Sequence, residues 1–486
     1  RTFGRHDVNA MLLYNQDELV NNVPGNNLIN SLPKRKQGLA GRLSYAYDGK
    51  YMAEVNMGYN GSENFAKGHR WGFFPSIALG YNISEESFFK PLRKVITSMK
   101  LRGSWGLVGN DQIGGERFIY MPTINLSGKG FTTGIDQNYG LSGPVYTRYE
   151  NNSITWEVGE KINLGIDLQL LNSLNIVVDI FRETRRDIFQ KKGTIPTYLG
   201  TGNTDVFGNL AEMKNQGLDL SIDYNKAFSK DFYMNFKGTF TYAHNEITKY
   251  DEAPKYAFQS KVGQSANVSQ GYLSNGLFLD EAEIDRYNQQ MGSTLGAGDI
   301  KYLNVSNMHG YGDDIVDVDD WTWIGNPTVP EIVYGFGPSF KYKNWDFSFF
   351  FQGVAKTSLF MSGFHPFGDN SLRNVLQFVA NDRWSPTNQN VDAKYPRLTR
   401  KTSLNNTNPG NSGRTSDYWM RDGSFLKLKN MELGYTFKRM RFYISGSNLL
   451  TFSKFDLWDP EQGGGSGLKY PTQRVFNVGF QMTFNN

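Results

Sequence analysis

The run Arg474-Val-Phe-Asn-Val-Gly-Phe-Gln-Met-Thr-Phe484 separates into two unlike faces. Phe476, Val478, Phe480, Met482 and Phe484 point one way; Val475, Asn477, Gly479, Gln481 and Thr483 point the other, because side chains alternate across a strand. About ten residues at about 3.4 Å each, tilted near 45°, rise roughly 24 Å, the height of the apolar band of an outer-membrane barrel. A soluble sheet also alternates, so the reading turns on recurrence: segments of this length and aromatic weight run along the whole chain. This last one is expected to be the barrel-closing strand.

Working back from it, similar segments occur at Val8–Tyr14, Leu39–Tyr47, Tyr51–Tyr59, Trp71–Tyr81, Val95–Trp105, Ile162–Leu168, Leu174–Ile180, Leu218–Tyr224, Phe232–Tyr242, Tyr334–Tyr342, Trp345–Phe351, Phe425–Phe437 and Phe442–Ile444. The count is about fourteen strands, and the connections are read as alternating strictly between short and long. A strand that crosses a membrane each time puts short turns on one side and long loops on the other. Counted back from a final strand descending to the periplasm, every short turn is periplasmic. The expected fold is an all-β, transmembrane antiparallel β-barrel with long extracellular loops carrying short helices. One such helix is expected over Ser371–Asp382, where Leu372, Val375, Leu376 and Val379 share a face and fold back over the barrel mouth.

Composition agrees. The 486 residues are 39% hydrophobic, the mean hydropathy is -0.51, and no run approaches the roughly 18 apolar residues of a membrane helix. Aromatics reach 15%, beside 52 Gly, as aromatic girdles and polar loops require. Cysteine is absent, which excludes disulfides and thiolate metal sites. The net charge of +4, with no basic cluster beyond Lys34-Arg35-Lys36, argues against nucleic acid. The chain opens at Arg1, as if in mid-strand and without a signal peptide, so it is expected to be the C-terminal part of a longer exported protein.

Several segments resemble the SusC/RagA family of TonB-dependent outer-membrane transporters. They are Leu101-Arg-Gly-Ser-Trp-Gly106, Gly271-Tyr-Leu-Ser-Asn-Gly-Leu-Phe278, Gly298-Asp-Ile-Lys-Tyr302, Ile324-Gly-Asn-Pro327, Asp382-Arg-Trp-Ser-Pro386, Ser416–Phe437 and Tyr443–Phe452 with Asp459-Pro-Glu461. The resemblance implies a 22-stranded barrel filled by an N-terminal plug. Residues 1–486 would be its C-terminal portion, with the plug, the signal peptide and the first strands outside this chain. It also implies import of oligosaccharides or peptides through the outer membrane, a SusD-like surface lipoprotein as lid, and the TonB complex acting through the missing N-terminal part. No bond is made or broken, so no catalytic residue is assigned, and no substrate contact is named. The rivals are a passive porin and a surface adhesin or carbohydrate-active enzyme of β-architecture.

Other patterns carry less. In the acid-rich stretch Asp299–Asp320, Asp313, Asp317 and Asp320 match the family's calcium-like run, while Asn304 stands for its first acid, Ser306 holds the next ligand position and Asp314 stands where Gly is expected, so a structural calcium is the one cofactor weighed, against solvated acids in a polar loop. The five histidines form no metal-binding pair. Glu85-Glu86 and Asp251-Glu252 read as solvated turn residues, and Gly463-Gly-Gly-Ser-Gly467 as a flexible surface loop. Trp321, Trp323, Tyr418, Trp419 and Trp458 read as interface girdle aromatics, with stacking on ligand as the alternative.

Overall fold

The computed structural model describes residues 1–20, 32–113, 117–196, 198, 204–287, 289–290, 295–311, 314–362, 375–398, 406 and 415–484. Fourteen long strands pair in chain order, each antiparallel to the next. They are β1 (His6–Leu19), β2 (Lys34–Tyr47), β3 (Tyr51–Ser62), β4 (Trp71–Asn82), β5 (Ile96–Asn110), β6 (Glu157–Leu170) and β7 (Leu174–Lys191). β8 (Phe207–Ala227), β9 (Phe232–Lys249), β10 (Ile332–Tyr342), β11 (Trp345–Ala355), β12 (Phe425–Phe437), β13 (Met440–Ser453) and β14 (Val475–Met482) follow. A two-residue strand, Thr2–Phe3, pairs with the start of β1. Every strand expected from the alternation is present.

Five hairpins turn on two to four residues, as the parity argument expects. Asp48 and Gly49 take φ of 54° and 66°, and Leu171 and Asn172 take 51° and 53°. That left-handed conformation matches the twist of the flanking strands and is cheapest for Gly, Asn and Asp. The strict alternation fails once. Between β4 and β5 the chain makes two 3-10 helices, Ile83–Glu85 and Ser87–Lys94, a longer excursion than the Glu63–Arg70 connection before it. This segment brings its own anchors, a buried Phe89 and an Arg93 guanidinium donating from Nε to the Ser84 carbonyl at 2.7 Å. Its acids are partnered too: Glu86 accepts from the Tyr51 hydroxyl at 2.6 Å, and Glu85 pairs with Arg93 at 3.3 Å.

The chain divides into two compact units, Arg1–Ser221 with Ala243–Ala253 and Lys261–Gln264, and Ile222–Tyr242 with Pro254–Ser260 and Ser265–Asn486. In the first, Leu43, Val55, Leu79, Leu164 and Ile180 stand on one face, each half exposed or more. Leu43 lies opposite Val55 and Leu164 opposite Ile180. Contiguous bare hydrocarbon of this kind is stable against lipid and costly against water. The other face is polar. There the Arg102 guanidinium sits between two carboxylates, with Nη2 2.8 Å from Asp167 and 3.0 Å from Asp179. Gly165 makes the room: a Cβ there would lie 2.5 Å from Asp179 Oδ1 and 2.8 Å from Arg102 Nη2.

The second unit repeats the device. Arg441 pairs with Asp346 and, at 2.6 Å, with Glu432, over Gly434, whose Cβ would fall 2.5 Å from Arg441 Nη2. Gly165→Ala is therefore expected to expel the Arg102 guanidinium and cost about 1–3 kcal/mol. It should lower the temperature at which the barrel loses its compact gel mobility. Gly103→Ala, whose Cβ would meet only Leu164 at 3.4 Å, is the control, and an equal shift in both would refute the argument.

β14 is in register with β13 from Met440 opposite Met482 to Gly446 opposite Phe476. Phe476 and Val478 are 74% and 87% exposed, Phe480 and Met482 less so, and Phe484 lies bare just beyond the strand. The Phe480 ring lies 5.1 Å from Phe442 on the same face. Among the described residues the far edge of β14 has no partner strand.

Candidate functional site

The second unit carries three long connections, between β9 and β10, β11 and β12, and β13 and β14. They do not run over the surface as separate loops. Tyr272, Leu277, Ile300, Tyr302, Leu359, Val379, Trp384 and Trp419 belong to one buried cluster, with Trp321, Tyr418 and Trp458 packed against it. The segments singled out in the sequence for their family resemblance thus supply the core of a loop layer.

Their polar residues tie the layer together. Tyr272 N donates to Thr415 O at 2.9 Å, and Ser274 N to Asp417 Oδ1 at 2.7 Å. Asp299 is fully buried; its carboxylate accepts from Arg397 at 2.5 and 3.0 Å, from Asn406 Nδ2 at 2.8 Å and from Gly296 N at 2.9 Å. Gly298, at φ +84°, leaves no room for a Cβ, which would lie 2.4 Å from the Trp384 ring.

This corrects the girdle reading of the tryptophans. Trp419 is 0% exposed, and Trp323 donates its indole N–H to Ser260 O at 2.8 Å. The Tyr418 hydroxyl donates to Ala393 O at 2.8 Å, and burial pushes that phenol's pKa up. The Trp419 ring is enclosed in the loop core, and Trp321, Tyr418 and Trp458 pack against it while staying partly exposed. The expected helix over 371–382 is shorter, Gln377–Asn381, and its Val379 is buried in the same core; Ser371 and Leu372 lie outside the described residues.

The calcium-like loop is organised as caps. Asn304 Oδ1 accepts from Asn307 N at 2.8 Å at the start of the turn Val305–Met308. Asp317 Oδ1 accepts from Asp319 N at 2.8 Å. The fully buried Asp320 accepts from Ser306 N at 2.9 Å and Asp317 N at 2.7 Å. Burial raises the Asp320 pKa, and these N–H groups only partly offset it. Asp313 lies outside the described residues. Among the described residues no three His, Asp or Glu side chains converge on a point that could hold a metal. The described oxygens of Asn304, Asp317 and Asp320 accept backbone N–H groups that hold the turns.

A different feature was not legible beforehand. Lys427 on β12 is 1% exposed, and its ammonium grips both carboxylates of Asp459-Pro-Glu461, Glu461 at 2.8 Å. Lys429 reaches Glu461 at 2.6 Å. Burial alone would raise both carboxyls; the two ammonium groups, with the Glu461 N–H on Asp459, hold them below their ordinary values. The clamp places the glycine run over the sheet: Gly465 N donates to Phe360 O at 2.8 Å, and a Cβ on Gly464 would lie 2.6 Å from that oxygen. The run is a seated cover, not a free surface loop.

Under it lies a cavity of about 570 Å³. Gln352 and Val354 of β11 line it with Phe425 of β12, on the face opposite Phe347, Phe349 and Phe351. Phe360, Glu461 and Gly464 line it from the loops. The sequence signals were a pair of lysines alternating in one resembling segment and Asp459-Pro-Glu461 in another, with nothing to say that they meet.

Residues 1–449 match the family model described as TonB dependent receptor-like, beta-barrel. The chain is 28% identical over 471 residues to the TonB-dependent receptor SusC of Bacteroides thetaiotaomicron, covering 91% of this chain and 43% of SusC. It is 27% identical over 481 residues to the TonB-dependent receptor P3 of Formosa agariphila, covering 91% of this chain and 45% of that protein. The chain thus spans about half the length of these relatives. In fold it is similar to the RagAB peptide transporter, with a TM-score of 0.71 and 19% identity over 99% of this chain and 54% of that one. These relatives are receptors and transporters rather than enzymes, and the chain belongs to the TonB-dependent receptor β-barrel family of the outer membrane.

Proposed function

We propose that the complete protein imports oligosaccharides or peptides across the outer membrane, driven through TonB and working with a SusD-like surface lipoprotein. This chain contributes fourteen strands, the C-terminal part of the barrel, and its polar face lines the interior. The observation that carries the reading is the coincidence of the family match over residues 1–449 with a loop layer whose core is built from the resembling segments. A passive pore has no need of so large a packed loop layer. The RagAB complex is described as a peptide importer with open-open and closed-closed states; at 20% identity that likeness extends to fold and not to cargo.

The test is uptake of labelled ligand by cells carrying the full-length protein, with and without TonB. Import is expected to stop when TonB is deleted or the proton gradient is collapsed. Uptake that continues unchanged would establish a passive channel instead.

A further inference from the structure

We infer that the segment Ser87–Lys94, between β4 and β5, is a foot that rests in the headgroup layer of the membrane and binds anionic phospholipid there. With the residue after it, the segment leaves three large apolar side chains bare: Phe88 at 67%, Leu92 at 51% and Val95 at 56% exposure. Lys90, Arg93 and Lys94 are interleaved with them and exposed. Arg93 is engaged by the Ser84 carbonyl and Glu85. Among the described residues Lys90 and Lys94 pair with no acid. Bare hydrocarbon beside uncompensated ammonium groups is costly in water. At an anionic membrane surface the apolar side chains enter the acyl boundary and the ammonium groups meet phosphate.

The position in the fold selects lipid over protein. Tyr51 and Tyr81 stand on the same faces of β3 and β4 as Val55 and Leu79, their rings stacked at 5.2 Å. They lie at the short-turn end, where an aromatic girdle marks the membrane boundary. Glu86, the residue before the segment, accepts from both hydroxyls, at 2.6 and 3.4 Å. The segment therefore leaves the sheet on its lipid-facing side, at girdle depth, and continues that surface. Buried Phe89 fixes it there. Three bare side chains also fall short of the roughly 800 Å² per partner of a stable protein interface. Short turns are periplasmic in such barrels, so the leaflet is the periplasmic one.

The inference is independent of what the barrel carries. Its test uses purified full-length protein in vesicles of equal parts phosphatidylethanolamine and phosphatidylglycerol. This chain has no cysteine, so Phe88→Cys takes one fluorescent label in it, and the parent labelled in parallel accounts for any cysteine elsewhere. Lipid brominated high on its acyl chains is expected to quench the label by about half or more, and aqueous iodide to leave it bright. Brominated phosphatidylglycerol should quench about fivefold more effectively than brominated phosphatidylethanolamine. Lys90→Gln with Lys94→Gln should remove that preference, and Lys90→Arg with Lys94→Arg keep it, with heat-dependent gel mobility unaltered in both. Quenching by iodide and not by lipid would overturn the proposal by leaving the segment in water. Protection from both quenchers would overturn it by placing a protein over the segment. Equal quenching by the two lipids, or a preference that survives the glutamine pair, would overturn the anionic headgroup.

Discussion

Lys427→Met is expected to unseat the segment carrying Asp459-Pro-Glu461 while leaving the strands paired. Methionine fills nearly the same volume, so the loss is of charge rather than packing. Asp459 then keeps no cation, and Glu461 keeps only Lys429. Removing one partner of a buried pair costs about 3–5 kcal/mol. Because Glu461 stays about a third exposed and can draw on water, about 2–4 kcal/mol is the expected cost here. Limited proteolysis should cut between residues 454 and 474 far sooner than in the parent. Adding Asp459→Asn should recover part of the resistance, since it removes one stranded charge. A cleavage rate equal to the parent's would show that the clamp contributes nothing.

The same clamp has a defined dependence on pH. Both carboxyls are held below their ordinary values of 3.8 and 4.5. Groups depressed in the folded state bind more protons when unfolded, so stability rises with pH across that interval. The clamp's contribution is fully present above about pH 5 and is lost as the pH falls below about 4, through the folded-state values. Cleavage by an acid-active protease should accelerate over that interval in the parent. In Lys427→Met it should already be fast and nearly flat.

Trp419→Ala is expected to loosen the whole loop layer, at a cost of about 3–5 kcal/mol for the indole-sized void. Trp419 is fully buried, and its carbonyl accepts from Met361 N at 3.0 Å, so the strand Ser358–Phe360 and the cavity wall it supplies would shift too. Hydrogen exchange should quicken at Ser269–Leu277 and Ile300–Tyr302 while β10 to β13 keep their protection. Unchanged exchange in the loops would mean that each folds by itself and the shared core is incidental.

All fourteen strands were legible because a strand with hydrocarbon on one face and water on the other must alternate, and Phe476 to Phe484 alternate without a break. Five hairpins were legible, from Asp48-Gly49, Leu171-Asn172-Ser173, the turn at Asn225 to Lys230, Lys343-Asn344 and Lys438-Arg439. The excursion Ile83–Val95 was not, because its anchors, Phe89 and Arg93, are recognisable only once their partners are in place. The tryptophans were misplaced for a related reason. An aromatic near a strand end reads alike whether lipid, ligand or another loop covers it, and the core that encloses Trp419 is assembled from several loops, among them Tyr272, Tyr302, Met361 and Phe455.

The sequence by itself determined the strand order, the sheet's two faces and the family, all of which follow from local periodicity and short-range motifs. Only the tertiary structure decided the work those motifs do. Asp299 meets Arg397 and Asn406, Lys427 meets Asp459 and Glu461, and Gly165 yields to Arg102 because the fold brings distant backbone together. Charge neutralisation and the absence of a side chain are properties of such meetings, and no single stretch of chain records them.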